Sequence, residues 1–244
     1  MLKNKLLVAA LASSFALPAL ADTSPFSTNV SLTTNYLYRG ITQSGANPAI
    51  QGGFDYAGAS GLYIGTWGSS ISWLGDAGVA SRSGLELDTY GGYRGTAGAV
   101  SYDVGYLRYN YSGNFGSNVK ADTNEIYGAV TYSIVTAKLS YSTGDLFGFT
   151  ASSGSTYADL SVNYPIGDSG YTVGAHYGKQ TVKGTGNDIF TYSDYRLSGS
   201  KDLGSGYSAS LTYSGTNAKD AGYTTAQGLK AGKSTLVAAL SRTF

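Results

Sequence analysis

Leu236-Val237-Ala238-Ala239-Leu240-Ser241-Arg242-Thr243-Phe244 is a short alternating run that stops on an aromatic residue. Chain ends are ordinarily frayed and polar, so a strand-like end closed by Phe244 needs a reason. The same period of two recurs upstream. Leu85, Leu87 and Tyr93 oppose Glu86, Asp88 and Arg94, and Val135, Ala137, Leu139 and Tyr141 oppose Thr136, Lys138, Ser140 and Ser142. Tyr207, Ala209, Leu211 and Tyr213 likewise oppose Ser208, Ser210, Thr212 and Ser214. Near the start, Val30, Leu32, Tyr36 and Tyr38 oppose Asn29, Ser31, Thr33 and Asn35, with Leu37 out of phase. Such alternation is the strand signal.

Runs of this kind predict about twelve strands. They fall near residues 26–39, 48–57, 60–69, 84–95, 98–112, 121–133, 135–144, 154–165, 169–181, 190–201, 205–215 and 234–244. The connections alternate in length. Long ones at 40–47, 70–83, 113–120, 145–153, 182–189 and 216–233 are separated by short turns, such as Gly58-Ala59, Ser133-Ile134 and Asp202-Leu203-Gly204. A soluble sandwich would alternate too, but it has no reason to keep this parity. A single transmembrane antiparallel β-barrel with both termini in the periplasm does. The reading is therefore all-β, with Phe244 as the signal that the outer-membrane assembly machinery takes from the last strand.

The opening residues fit that compartment. Lys3 and Lys5 precede an apolar stretch from Leu6 to Leu17, and Ala19-Leu20-Ala21 fits a small-x-small cleavage site. Residues 1–21 are expected to be a signal peptide, cut between Ala21 and Asp22, and residues 22–244 a single barrel domain. Removing Lys3 and Lys5 leaves 14 basic against 15 acidic groups. That balance, without a basic stripe, argues against nucleic acid. One histidine and no cysteine remove most transition-metal designs, so no cofactor is expected.

Aromatic placement adds detail. Tyr36, Tyr38, Tyr93, Tyr109, Tyr111, Tyr132, Tyr141, Tyr164, Tyr177 and Tyr213 lie near predicted strand ends, where a girdle at the lipid headgroups would put them. The phase of 98–112 changes near Gly105-Tyr106, which predicts a β-bulge.

Three stretches carry a resemblance. Asn35-Tyr36-Leu37-Tyr38-Arg39-Gly40-Ile41-Thr42-Gln43-Ser44 is followed by Pro48-Ala49-Ile50-Gln51-Gly52-Gly53-Phe54-Asp55-Tyr56 and by Gly61-Leu62-Tyr63-Ile64-Gly65-Thr66-Trp67-Gly68-Ser69. Together they resemble the TorF family of proteobacterial porins. The resemblance implies a porin fold in the outer membrane, and it says little about substrate. Outer-membrane end signals usually carry an aromatic or aliphatic residue two places before the final Phe. Here that place holds Arg242, which can snorkel.

Two motifs invite chemistry. Gly228-Leu229-Lys230-Ala231-Gly232-Lys233-Ser234 is one residue short of a phosphate loop and precedes a strand instead of a helix. It reads as the last outer loop. His176 falls on the small polar face with Thr172, Gly174 and Gly178, hence inside the barrel, where a Ser–His pair could act as a hydrolase. The plainer reading is a polar lumen side chain.

The remaining candidates are charges. Asp55, Glu86, Asp88, Asp103, Glu125, Asp159 and Asp194, with Arg39, Arg94, Arg108, Lys138 and Arg196, are expected to line the lumen. A charge facing lipid at mid-membrane costs about 2–4 kcal/mol, so twelve could not be placed there. Glu86 and Asp88 share one strand face, although nothing aims them at a scissile bond. The function that follows is passive diffusion of small hydrophilic solutes through a weakly ion-selective channel. A barrel hydrolase and a closed structural or adhesive barrel are the alternatives. Solute identity and oligomeric state are not encoded in any motif.

Overall fold

Twelve segments keep the alternation, and each becomes a strand in the computed structural model, which describes residues 24–116 and 120–244. They are β1 (Phe26–Thr33), β2 (Ala49–Ala57), β3 (Leu62–Ser70), β4 (Leu85–Ala97), β5 (Val100–Tyr111) and β6 (Thr123–Tyr132). Then follow β7 (Val135–Ser142), β8 (Thr156–Pro165), β9 (Tyr171–Thr181), β10 (Tyr192–Gly204), β11 (Tyr207–Thr216) and β12 (Thr235–Thr243). Each pairs antiparallel with its chain neighbours, and β1 closes on β12 from Asn29 opposite Thr243 to Thr33 opposite Ala239. Closure removes every sheet edge, the condition for strands to cross hydrocarbon. The expected signal segment and its cut lie outside the described residues.

The pleat decides which side chains meet lipid. Ile64, Val130, Leu139, Leu160 and Leu236 are each more than half exposed on the outer face. A water-soluble protein would hide them; a transmembrane barrel requires them there. The long and short connections alternate as expected, and β1 begins and β12 ends at the short-turn end. There the Phe244 N–H donates to the Thr28 carbonyl (2.9 Å), carrying the seam to the last residue. Arg242 shares the outer face with Leu236 and Leu240. Its guanidinium lies 4.8 Å from the Tyr207 ring centre and 4.3 Å from that of Phe244, so aromatic faces shelter the charge.

Three expectations change. The first strand stops at Thr33, not at residue 39, because Asn35 turns back to hydrogen-bond Thr42 and Ser44. The tyrosine girdle is smaller than its sequence positions suggested. Tyr93, Tyr132, Tyr141, Tyr164, Tyr177 and Tyr213 face outward, whereas Tyr36 and Tyr109 are buried and Tyr38 and Tyr111 pack with them inside. No bulge occurs at Gly105-Tyr106. β5 runs in unbroken register against both β4 and β6, and the register shift falls instead between Asp202 and Gly204 of β10.

Candidate functional site

The segment 34–48 does not loop over the rim; it enters the barrel. Leu37–Tyr38 pairs with Ile41–Thr42 as a small hairpin, and Arg39 and Gly40 form its two-residue turn with φ of 48° and 78°. Two consecutive positive φ values define the type I′ turn that suits hairpin twist. Glycine is at home there, while arginine is strained, which marks a position held by its contacts. The hairpin base is laced by short polar side chains. Thr42 Oγ1 donates to Asn35 Oδ1 (2.6 Å), the Tyr36 N–H to Ser44 Oγ (3.0 Å), and the Gln43 N–H to the Tyr36 carbonyl (2.7 Å). The motif from Asn35 to Ser44 therefore encodes one folded unit.

That unit reaches across the lumen. At its tip Arg39 donates to both Glu125 oxygens on β6 (2.8 and 3.0 Å) and to Gln180 Oε1 on β9 (2.6 Å). Its guanidinium sits 4.2 Å from the ring centre of Tyr157 on β8. Only 7% of Arg39 and 2% of Glu125 are exposed, so this is an ion pair out of water. Tyr38 donates to Tyr109 on β5 (2.9 Å), and Tyr36 to Glu86 on β4 (3.2 Å). Opposite, a Cβ on Gly40 would come within 2.5 Å of Thr216 Cγ2 and 2.9 Å of Asp194 Cβ. Glycine is needed there for approach as well as for φ.

Neighbouring loops brace the hairpin from above. The Ser72 and Trp73 N–H groups donate to the Gln43 carbonyl (2.8 and 3.0 Å), and the Thr42 N–H donates to the Ala231 carbonyl (3.0 Å). The phosphate-loop look-alike of residues 228–234 thus serves as a packing surface. An apolar cluster of Tyr36, Ala49, Ile71, Leu74, Ala80 and Ala121 seals this level.

Nearer the short-turn end the lumen is polar and aromatic. Tyr63 donates to Asp103 (2.6 Å) and is hydrogen-bonded to Tyr127. Arg94 pairs with Asp103 (3.2 Å) and lies 3.9 Å from the Tyr63 ring centre. Lys138 lies 4.0 Å from that of Tyr127, and Tyr90 donates to Asp55 (2.6 Å). His176 bridges two acids, with Nδ1 2.7 Å from Asp159 and Nε2 2.8 Å from Asp194. Tyr157 joins this group through its hydroxyl on Asp194 (2.9 Å), and Arg196 pairs across the ladder with His176.

Asp55, Glu86, Asp88, Arg94, Asp103, Glu125, Lys138, Asp159, Asp194 and Arg196 therefore occupy inward positions of the wall. Arg39 reaches the lumen from the hairpin, not from a strand. Arg108 does not line the lumen. It shares the outer face of β5 with Val104 and Tyr106, which are 51% and 44% exposed, and pairs there with Asp122 (3.3 Å). Without the expected bulge, Asp103 and Arg108 are an odd number of residues apart and must face opposite ways. Among the candidate charges, seven carboxylates then face the lumen against Arg39, Arg94, Lys138, Arg196 and the His176 imidazole.

Sequence reasoning missed Tyr63, Tyr90, Tyr127, Tyr157 and Gln180 inside the barrel. Parity would have found most of them. Tyr90 falls in phase with Glu86 and Asp88, Tyr127 with Glu125, and Tyr157 with Asp159. Room for the rings comes from glycine, since a Cβ at Gly105 would press to 2.6 Å from the Tyr127 hydroxyl.

Over residues 19–244 the chain matches the family described as "Bacterial protein of unknown function (Gcw_chp)". It belongs to that family. The match carries the name Gcw_chp and not TorF, so the TorF likeness rests on the motif of residues 35–69. No curated protein matches this Gcw_chp chain in sequence. Among solved structures a KdgM porin is similar at a TM-score of 0.55 and 7% identity, over 89% of this chain and 98% of that one. A "KdgM porin in complex with disordered oligogalacturonate" gives 0.52 at 7% identity, over 90% and 97%. The outer membrane protein Omp33 of Acinetobacter baumannii gives 0.50 at 7% identity, over 91% and 97%. At such identities the likeness is one of fold: this Gcw_chp protein is a porin-like barrel.

Proposed function

We infer that the protein is an outer-membrane channel for passive diffusion of small hydrophilic solutes, with the short turns and both termini on the periplasmic side. The observation that carries this reading is a closed barrel, apolar outside, whose ionisable groups are gathered in the lumen beneath one inserted hairpin. Partners follow from the surfaces: membrane lipid at the outer face, solutes at the lumen, and the assembly machinery at Phe244. A lumen that filters by size and charge needs no cofactor.

Relocating Arg108 tilts the lumenal balance toward acid, so the weak selectivity is for cations. Rings of carboxylate set such preferences in pores. A KCl gradient across a planar bilayer should give a reversal potential of the cation-selective sign, and an anion-selective sign would reject the charge assignment. The oligogalacturonate belongs to the KdgM structure. A lumen with more acids than bases disfavours such a polyanion here.

The hydrolase reading is the weaker one. Both His176 nitrogens face carboxylates, and the Ser161 hydroxyl, 3.2 Å from Nδ1, donates to Asp159 (2.7 Å). An imidazole so engaged has no lone pair left to activate a serine. Crossing of the lumen by the hairpin favours the closed-barrel alternative over the hydrolase. Conductance of hairpin variants separates it from a channel, because a barrel that stays silent in all of them is no pore.

Phe244→Ser should reduce the heat-modifiable, folded fraction several-fold in cells while leaving in vitro refolding nearly intact. Equal folded fractions in cells would show that Phe244 is not an assembly signal.

A further inference from the structure

Glu86 and Asp88 lie side by side on the lumenal face of β4, 1% and 3% exposed, beneath the hairpin. One oxygen of each, Glu86 Oε2 and Asp88 Oδ1, is buried without a hydrogen-bond partner. The groups around them are known from every side. Ser69 and Trp67 face them from β3, and Tyr111 and Tyr109 from β5. Glu125 approaches from β6, Tyr90 follows on β4, and the hairpin brings Tyr36, Tyr38 and Arg39. Arg39 is the one cation among these residues, and its hydrogen bonds go to Glu125 and Gln180.

An ionised carboxylate shut away from water with an unpaired oxygen is costly, and two on one strand face repel each other as well. The arrangement is tolerable when the acids carry protons. Withdrawal of the hairpin would return both to lumenal water, where they ionise readily. The docked state therefore binds more protons than the undocked state, and by linkage docking weakens as pH rises.

We propose that the Glu86–Asp88 pair makes the hairpin an acid-closed gate: with the pair protonated residues 35–44 dock across the lumen, and ionisation of the pair drives them out. The transport consequence rests on the channel reading above, whereas the docking switch does not. Its readout is built in. The chain has two tryptophans, and Trp67 packs edge-on against Tyr36 of the docked segment at 5.5 Å between ring centres.

In detergent-folded full-length Trp73→Phe protein, the Trp67 emission should move to the red between about pH 5 and about pH 8, as both acids ionise once wetted. Glu86→Gln with Asp88→Asn, which cannot ionise, should hold the emission at its acidic value throughout. Bilayer conductance of the unmodified protein should rise at least about tenfold over the same range, one decade corresponding to one unit of linkage. An emission that stays fixed with pH overturns the gate, whatever the conductance does. A shift that survives the double amide substitution overturns the assignment to this pair and directs attention to His176. A shift without conductance upholds the switch and overturns the channel.

Discussion

Arg39→Ala is expected to open the lumen while leaving the barrel standing. The side chain supplies the hairpin's contacts to β6, β8 and β9 at once, through Glu125, Tyr157 and Gln180. Its removal takes from Glu125, almost fully buried, the one cation hydrogen-bonded to it among the described residues, and breaking a buried pair in this way costs about 3–5 kcal/mol. The strain of a positive φ at residue 39 loses its compensation in the same step. Barrel hydrogen bonds run from strand to strand and do not pass through the hairpin, so the penalty falls on docking alone. Heat-modifiable migration should match the parent, and unitary conductance should increase several-fold. Arg39→Ala with Glu125→Gln removes the orphaned charge and should recover part of the closed state. An unchanged conductance in Arg39→Ala, with folding intact, would mean that the hairpin does not obstruct the path.

Leu160→Arg should be the most damaging single change to the wall. Leu160 sits mid-strand on the outer face of β8, 52% exposed to what is lipid in the membrane. A guanidinium there costs about 2–4 kcal/mol near the bilayer midplane. Ser210→Arg, on the lumenal face of β11, introduces the same group into water and should cost well under half as much. Reversible denaturant unfolding from lipid vesicles measures both. Equal costs at the two positions would contradict the assignment of faces.

Much of this could be read in advance because strand physics is local. Period two, turn residues and the alternation of loop lengths are properties of neighbours in sequence, and a closed barrel makes each strand pair with the next. Strands from β2 to β12 consequently fall within a few residues of their expected places, and ten of the twelve proposed charges land on the lumenal wall. Arg108 shows the limit. Its side was inferred through a bulge that does not form, and one residue of phase turns a pore charge into an outer-face ion pair. Tyr36, Tyr38, Tyr109 and Tyr111 show a second limit. Tyrosine at a strand end suits a headgroup girdle and a lumen equally, so residue type could not choose between them.

By itself, then, the sequence determined the barrel: how many strands, which face is greasy, where most of the ionisable groups go, because each of these follows from contacts between adjacent segments. Only the tertiary structure decided that the Asn35–Ser44 motif is a hairpin inside the lumen. Its partners Glu86, Glu125, Gln180 and Thr216 lie 50 to 180 positions away or thereabouts, on walls that face one another only after closure. Contacts across an enclosed space leave no periodic trace along the chain, and so the hairpin's place across the lumen had to be seen to be known.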